Sequence, residues 1–219
     1  MGNDKVQLKP NTTLFPVPVV LITCGQDGRY NVFSLNRIAS CNAEPPMISI
    51  SVRPLRASHD LIEASGEFVV NIPYPEMEVV SDFVGTTTMG DVDKWAETGL
   101  TRVSASKIKA PLLAECPINI ECRVTEQVKL PSHSLFIGIV VALHADPTVL
   151  DARGDVDFEL AQGGLPYRAG TVRERPVDNF QPQRLLQAVH SWREAQRFDW
   201  GHYRGSSADN QNDCDESEK

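Results

Sequence analysis

Short apolar runs separated by turn residues fill the chain from Val17 to Ala145. Val17 to Cys24 reads as a buried strand, and Gln26-Asp27-Gly28-Arg29 as a hairpin turn with glycine where positive φ is needed; Tyr30 to Ser34 is the returning strand. Pro45-Pro46 breaks the chain, and Met47 to Arg53 (MISISVR) then alternates apolar and small polar residues, the pattern of a half-buried strand. A short helix is predicted over Arg56 to Ser65, ended by Gly66, followed by a strand from Glu67 to Ile72. Pro75 opens a second helix with Met77, Val80, Phe83 and Val84 on one face, and Gly85 ends it. After the loop Thr86 to Gly90, Asp91 is placed to cap a third helix that stops at Gly99. Two long strands, Ile118 to Val128 and Leu135 to Ala145, flank a turn at 131–134. Leu185, Val189 and Trp192 stand at helical spacing in a C-terminal helix that packs on the body of the protein or on a partner subunit.

Strands outnumber helices and no βαβ alternation occurs, so the pattern predicts a mainly β protein: an antiparallel barrel with short peripheral helices and a C-terminal helix. No repeat or linker divides it. The expected organisation is one domain over 1–204, with its core at about 15–170 and a helical extension at 171–204, then an acidic, disordered tail at 205–219.

Composition narrows the class. Hydrophobic content of 41% and charged content of 23% are those of a soluble globular protein. The apolar run Val17 to Ile22 is too short to span a bilayer, and the first residues lack a signal peptide's apolar centre, so a cytoplasmic location is expected. The five cysteines form no CxxC pair, and an odd count argues against a disulfide framework. Cys116 and Cys122, six apart on an expected strand, would share a face as buried thiols. The histidines show no ligand-like spacing with cysteines or acids, so no metal site is expected. A net charge of -8 makes a poor nucleic-acid binder.

One segment runs against that acidic balance. From Arg29 to Ser58 there are four arginines (Arg29, Arg37, Arg53, Arg56) and one acid, Glu44. Arg53 and Arg56, with Ser51 and Ser58, sit at a strand-to-helix junction, where a guanidinium fork and a hydroxyl suit a dianionic phosphate ester. The blander reading pairs these arginines with Asp60 or Glu63 and makes Ser58 the cap of its own helix. No GxGxxG, GxxxxGK[ST] or GxSxG motif is present, so a nucleotide-type cofactor would be held by other means.

Seven segments in order then carry a family likeness: PVPVVLIT at 16–23, DGRYNVFSLN at 27–36, EPPMISISVRP at 44–54, ASHDLIEASGEFVVNIP at 57–73, GDVDKWAETGLT at 90–101, APLLAECPINIECRV at 110–124 and HSLFIGIV at 133–140. Together they resemble the flavin reductase-like, FMN-binding split-barrel proteins, and among them the flavoredoxin branch. The resemblance implies a homodimer with FMN near the subunit interface. It implies a phosphate held by Ser51, Arg53, Arg56 and Ser58, with Val52 also at the cofactor, and an isoalloxazine ring laid against Asn31, Ser34, Leu35 and Asn36. Arg37 would stabilise charge on reduced flavin, or else is an exposed strand-end arginine. The GDVDKW loop would cover the cofactor through Asp91 and Lys94, although Thr88, Met89 and Gly90 stand where the family has serine, glycine and arginine. Lys94 is a phosphate contact or an i,i+3 partner of Asp91; His133 is the catalytic candidate, touching flavin or nicotinamide, or satisfies its turn; Tyr167 covers the ring or only packs.

The activity implied is that of an NAD(P)H-dependent flavin reductase using FMN, or FAD in its place. Hydride would pass from nicotinamide C4 to flavin N5, and electrons then to an acceptor such as a partner monooxygenase. Competing with it are a flavoredoxin-like electron carrier without an NAD(P)H site, a flavoenzyme acting on its own organic substrate or metal chelate, and a split barrel that has lost flavin.

Overall fold

The structure, a computed structural model, describes residues 5–14 and 17–157 and the four positions 187, 190, 191 and 194. Strand β1 (Val20–Gln26) turns into β2 (Arg29–Leu35) at Asp27 and Gly28, both at positive φ (53° and 87°), the geometry that matches strand twist in a two-residue hairpin. Gly25, at φ 102°, is also obligatory, because a Cβ there would run into the Arg29 carbonyl. Strands β3 (Ile38–Ala43) and β4 (Pro46–Val52) follow, then helix α1 (Ala57–Ser65), closed by Gly66 at φ 67° with its N–H on the Ile62 carbonyl. After β5 (Glu67–Ile72) and a 3-10 turn at Pro75–Met77 come α2 (Glu78–Thr86) and α3 (Lys94–Thr98). A small pair, β6 (Arg102–Val103) and β7 (Leu112–Leu113), precedes the long hairpin of β8 (Ile118–Lys129) and β9 (Ser134–Ala145).

Seven strands form one sheet in the order β2-β1-β5-β8-β9-β4-β3, antiparallel at each junction. This is the mainly β, antiparallel architecture that the period-2 runs predict. Strand β3 is the element the pattern hides. Its sequence IASCNA has one large apolar residue, and every position after Ile38 is exposed, because the strand lies at the sheet edge and, among the described residues, pairs with β4 alone. Pro46, read from sequence as a break, is the first residue of β4, where a missing N–H costs least. Among the described residues, no helix is long and apolar enough to cross a membrane.

The unbroken apolar run of β1 has a direct cause: the strand is buried on both faces. Val20, Ile22 and Cys24 join Phe68, Cys122, Phe136 and Ile62 of α1 in one core, while Leu21 joins Val32, Val80, Phe83, Val84 and Leu113 in the other. Cys122 lies on β8, but Cys116 precedes the strand and sits in the second core, so the two thiols do not share a strand face; both are buried. Leu185, Val189, Trp192 and the acidic tail lie outside the described residues; positions 187, 190, 191 and 194 are helical and exposed.

One buried side chain joins three strands and the segment beside them. Asn71 of β5, fully buried, donates to Leu21 O (3.0 Å) and Thr23 Oγ1 (3.1 Å), and its Oδ1 accepts from Leu113 N (3.1 Å) and Asn119 Nδ2 (2.8 Å). Leucine keeps the branched shape but is bulkier and leaves those groups unpaired, at about 1–3 kcal/mol each before relaxation. Asn71→Leu is therefore expected to lower the unfolding free energy by about 3 kcal/mol in a urea titration. An unchanged midpoint would show that the buried network contributes nothing net.

Candidate functional site

A cleft opens where the end of β2, the end of β4, the start of α1, the loop after α2 and the β8–β9 turn converge. It is an open cleft, about 760 Å³ when the solvent-filled space at its mouth is included. Asn31, Ser34, Leu35, Asn36 and Arg37 line it from β2 and its exit; Ser51, Val52 and Arg53 line it from β4. Arg56 and Ser58 come from the start of α1, Lys94 from α3 and His133 from the β8–β9 turn. Three arginines and one lysine thus share one cleft, and no carboxylate is among the described residues lining it. Among the described residues Arg37, Arg53 and Arg56 form no ion pair, so the expected alternative partners Asp60 and Glu63 do not hold them.

Asp91 is not at the cleft. It is exposed in the turn before α3, and the cap of that helix is Asp93, whose Oδ1 accepts from Trp95 N (3.0 Å) and Ala96 N (3.1 Å). Tyr167 lies outside the described residues. Thr88 and Met89, expected in the loop over the cofactor, line the cleft, as do residues without an expected role at the site: Phe33, Ala57, Val84 and Gly85 of α2, and Thr87 after it. The hydroxyl run Thr86-Thr87-Thr88 was a visible signal of a polar loop. Gly85 was read only as a helix end, yet its lack of a side chain has a local cause: a Cβ there would overlap Ser34 Oγ, so the glycine lets α2 lie directly on β2.

Ser58 is buried at the second position of α1 rather than capping it; the N-cap is Arg56, without a side-chain hydrogen bond. Ser58 Oγ accepts from Asn31 Nδ2 at 2.8 Å, fixing both polar groups at the cleft wall beside the positive end of the helix. Arg56 Nη1 donates to Thr88 Oγ1 at 3.4 Å, joining the α1 side to the loop after α2.

Lys94 does not reach out toward Asp91 as an i,i+3 pair would require. Its side chain runs inward, 4% exposed, and Nζ donates to Val32 O (2.9 Å) and Val84 O (2.7 Å), leaving a third N–H for the cleft it lines. Burial, then repulsion from Arg56, lowers its pKa to about 8. The neighbouring Trp95 donates Nε1 to Tyr30 O at 3.1 Å. Tyr30 and Val32 point the same way along the free edge of β2, so α3 satisfies the carbonyls that the sheet leaves unpaired.

His133 is half-buried, with Nδ1 2.9 Å from Ser132 Oγ. Burial and the nearby Arg37 and Arg53 charges hold its pKa below the usual imidazole value, so the ring is neutral at pH 7. Beneath it, buried His59 of α1 shares a 2.8 Å hydrogen bond between Nε2 and Ser134 Oγ and meets Phe136 edge-on at 5.3 Å. Ser134 pairs with Val52, so this contact ties α1 to the strand ends that present Arg53 and His133. His59 also brings its ring within 4.8 Å of the Asp60 and Glu63 carboxylates, a helical His/acid grouping that the sequence reading missed.

The chain matches the family model described as the flavin reductase like domain over residues 12–165. Its structure resembles the crystal structure of flavoredoxin from Methanosarcina acetivorans with a TM-score of 0.68 at 28% identity, over 73% of this chain and 84% of that one. An uncharacterized protein of Archaeoglobus fulgidus is 29% identical over 67% of this chain and 82% of its own length. The NADH:riboflavin 5'-phosphate oxidoreductase of Streptomyces pristinaespiralis is 25% identical over 64% of this chain and 78% of its own. The split barrel expected from the sequence is the fold that these likenesses share.

The depressed pKa of Lys94 makes a signed prediction for stability. Between about pH 8 and the ordinary value of 10.5, the unfolded chain holds a proton on Lys94 that the folded chain has released. Stability rises with pH wherever the unfolded state binds more protons. The unfolding free energy of the wild type, taken relative to Lys94→Met by urea titration in ligand-free protein, is expected to increase from pH 8 toward pH 10. A flat or falling difference would show that the folded protein does not depress this lysine.

Proposed function

The chain belongs to the flavin reductase-like domain family, and on that premise we propose that its cleft holds FMN and that the loaded protein is an NAD(P)H-dependent flavin reductase. The single observation that carries the reading is the charge of the cleft: arginines and a buried lysine converge on a strand-to-helix junction with no carboxylate among the described lining residues. A phosphate monoester is close to a dianion at pH 7 and seeks such a place. The residues present fit the group. Arg56 and the third N–H of Lys94 would hold the phosphate, with Thr88 and Ser58 as neutral hydrogen-bonding neighbours.

FMN, when bound, supplies a ring that accepts hydride from reduced nicotinamide. The chain's own residues bind and orient. Ser34, Asn36 and the backbone of Leu35 offer hydrogen bonds along one wall, while Phe33, Val84 and Met89 bring apolar surface that excludes water from the cleft. Ser51 and Val52 close the wall at the end of β4. His133, a neutral imidazole at the mouth, is the proposed catalytic residue and can hold or give a proton there. FAD in place of FMN would use the same phosphate contacts and extend out of the mouth. We further propose a homodimer in the cytoplasm that passes electrons to an acceptor such as a monooxygenase; the exposed apolar Val6, Leu8 and Leu14 supply surface that a second chain would cover.

The likeness to flavoredoxin favours a second reading, an electron carrier with FMN held tightly and no use for NAD(P)H. One experiment separates the two. Purified protein loaded with FMN is expected to show the bands of oxidised flavin and to bleach anaerobically on addition of NADH or NADPH. Bands that persist with both nucleotides select the carrier. A protein that takes up no FMN and does not turn over NAD(P)H with free flavin excludes both readings.

A further inference from the structure

The cations of the cleft fall into two groups on different elements, and one phosphate needs only one of them. Arg56 and Lys94 belong to the helical side. Arg56 reaches Thr88 Oγ1, and Lys94 is bound to the Val84 carbonyl of α2 beside it. Arg37, Arg53 and His133 belong to the opposite, strand-end side. The Arg37 carbonyl accepts from Ser51 N at 3.0 Å, two residues before Arg53. Val52 pairs with Ser134, which sets Arg53 at the end of β4 beside His133 at the start of β9. Three adjacent strand ends therefore present two guanidinium groups and an imidazole to one stretch of the cleft mouth. The electrostatic couplings follow the same division: beyond burial, the main cause in each case, His133 is depressed by Arg37 and Arg53, and Lys94 by Arg56.

Charge decides the rest. Three arginines and Lys94 line the cleft, and a phosphate dianion balances about two of these positive charges. Exposed, unpaired arginines on neighbouring strand ends repel one another unless an anion lies between them. Among the described residues, nothing in the cleft lining supplies that anion. Resting on the flavin reading above, and taking Arg53 out of the FMN phosphate cradle in which the family resemblance places it, we propose that Arg37, Arg53 and His133 form a second anion subsite, distinct from the cradle of Arg56, Ser58 and Lys94, which takes a phosphate or carboxylate group of the molecule that exchanges electrons with the flavin. The substrate class is thus an anionic one. Two planar forks give bidentate contacts to either group, and the neutral imidazole adds one further hydrogen bond.

Inorganic pyrophosphate titrated calorimetrically into FMN-loaded protein tests this. The expected result is one site per chain, weakened about tenfold or more in the Arg37→Gln/Arg53→Gln double variant, in line with the loss of charge-assisted hydrogen bonds. The affinity for FMN, read from quenching of its fluorescence, is expected to fall at least as steeply in Arg56→Gln and to stay within about twofold of wild type in the double variant. Both arginines of the double variant are exposed, and circular dichroism checks that it folds. In anaerobic single turnovers, a raised half-saturating concentration of NADH in the double variant assigns the subsite to the donor. Unchanged reduction with slowed reoxidation by ferricyanide, but not by neutral dioxygen, assigns it to the acceptor. The proposal is overturned if pyrophosphate displaces FMN, fails to bind the loaded protein, or if the double variant loses FMN as Arg56→Gln does. If no variant and no wild type binds FMN, the flavin reading fails by itself. Pyrophosphate then decides between the groups in flavin-free protein: binding that survives Arg56→Gln but not the double variant keeps the subsite, and binding lost in both removes it.

Discussion

The buried ammonium of Lys94 fixes the relation between helix and sheet on which the cleft depends. A lysine withdrawn from water costs free energy unless its protons find acceptors, and here two of them find the carbonyls of Val32 and Val84. Val32 belongs to the edge strand β2 and Val84 to α2, so one side chain joins the two walls of the site. The same contact also covers a sheet edge. With Trp95 Nε1 on Tyr30 O, and Arg102 stacked over both the Tyr30 and Trp95 rings at 5.5 and 5.1 Å, the short α3 does the work that a further strand would do. Gly85 completes the arrangement, since any side chain there would push α2 away from Ser34.

The cost of that burial is what makes the lysine chemically useful. Its pKa near 8 means that the charge is held reluctantly, and an anion placed at its third N–H relieves both the desolvation and the repulsion from Arg56. The protein as a whole carries -8, yet the described residues of the cleft lining include no acid. Such segregation costs self-repulsion in the free protein, which a bound dianion reduces. The His59–Ser134 contact serves the same end from below, holding the start of α1 against the strand ends that carry Arg53 and His133.

Sequence and structure agree most closely where the hydrophobic period is strong and local. The hairpin at Asp27-Gly28, the αL glycine after α1, the Val80-Phe83-Val84 face of α2 and the two long strands were all legible, because each is set by backbone sterics or by a one-sided core within a few residues. Strand β3 was not legible: an exposed edge strand needs no apolar alternation, only a neighbour with unpaired carbonyls and amides. The cap of α3 was misassigned by two residues, from Asp91 to Asp93, because both aspartates suit a helix start and only the backbone geometry chooses between them.

The sequence by itself determined the fold class, the family, and the excess of arginine between β2 and α1, since these rest on residue type and on spacing along the chain. Tertiary structure alone decided which of those charges meet. Arg37, Arg53 and His133 are far apart in sequence and adjacent only through the pairing of β9 with β4 and the Ser51–Arg37 backbone bond. It also decided that Lys94 turns inward to two carbonyls instead of outward to Asp91, and that Thr88 and Gly85 belong to the site. Those outcomes depend on where distant backbone groups are left unpaired, and no local pattern of residues carries that information.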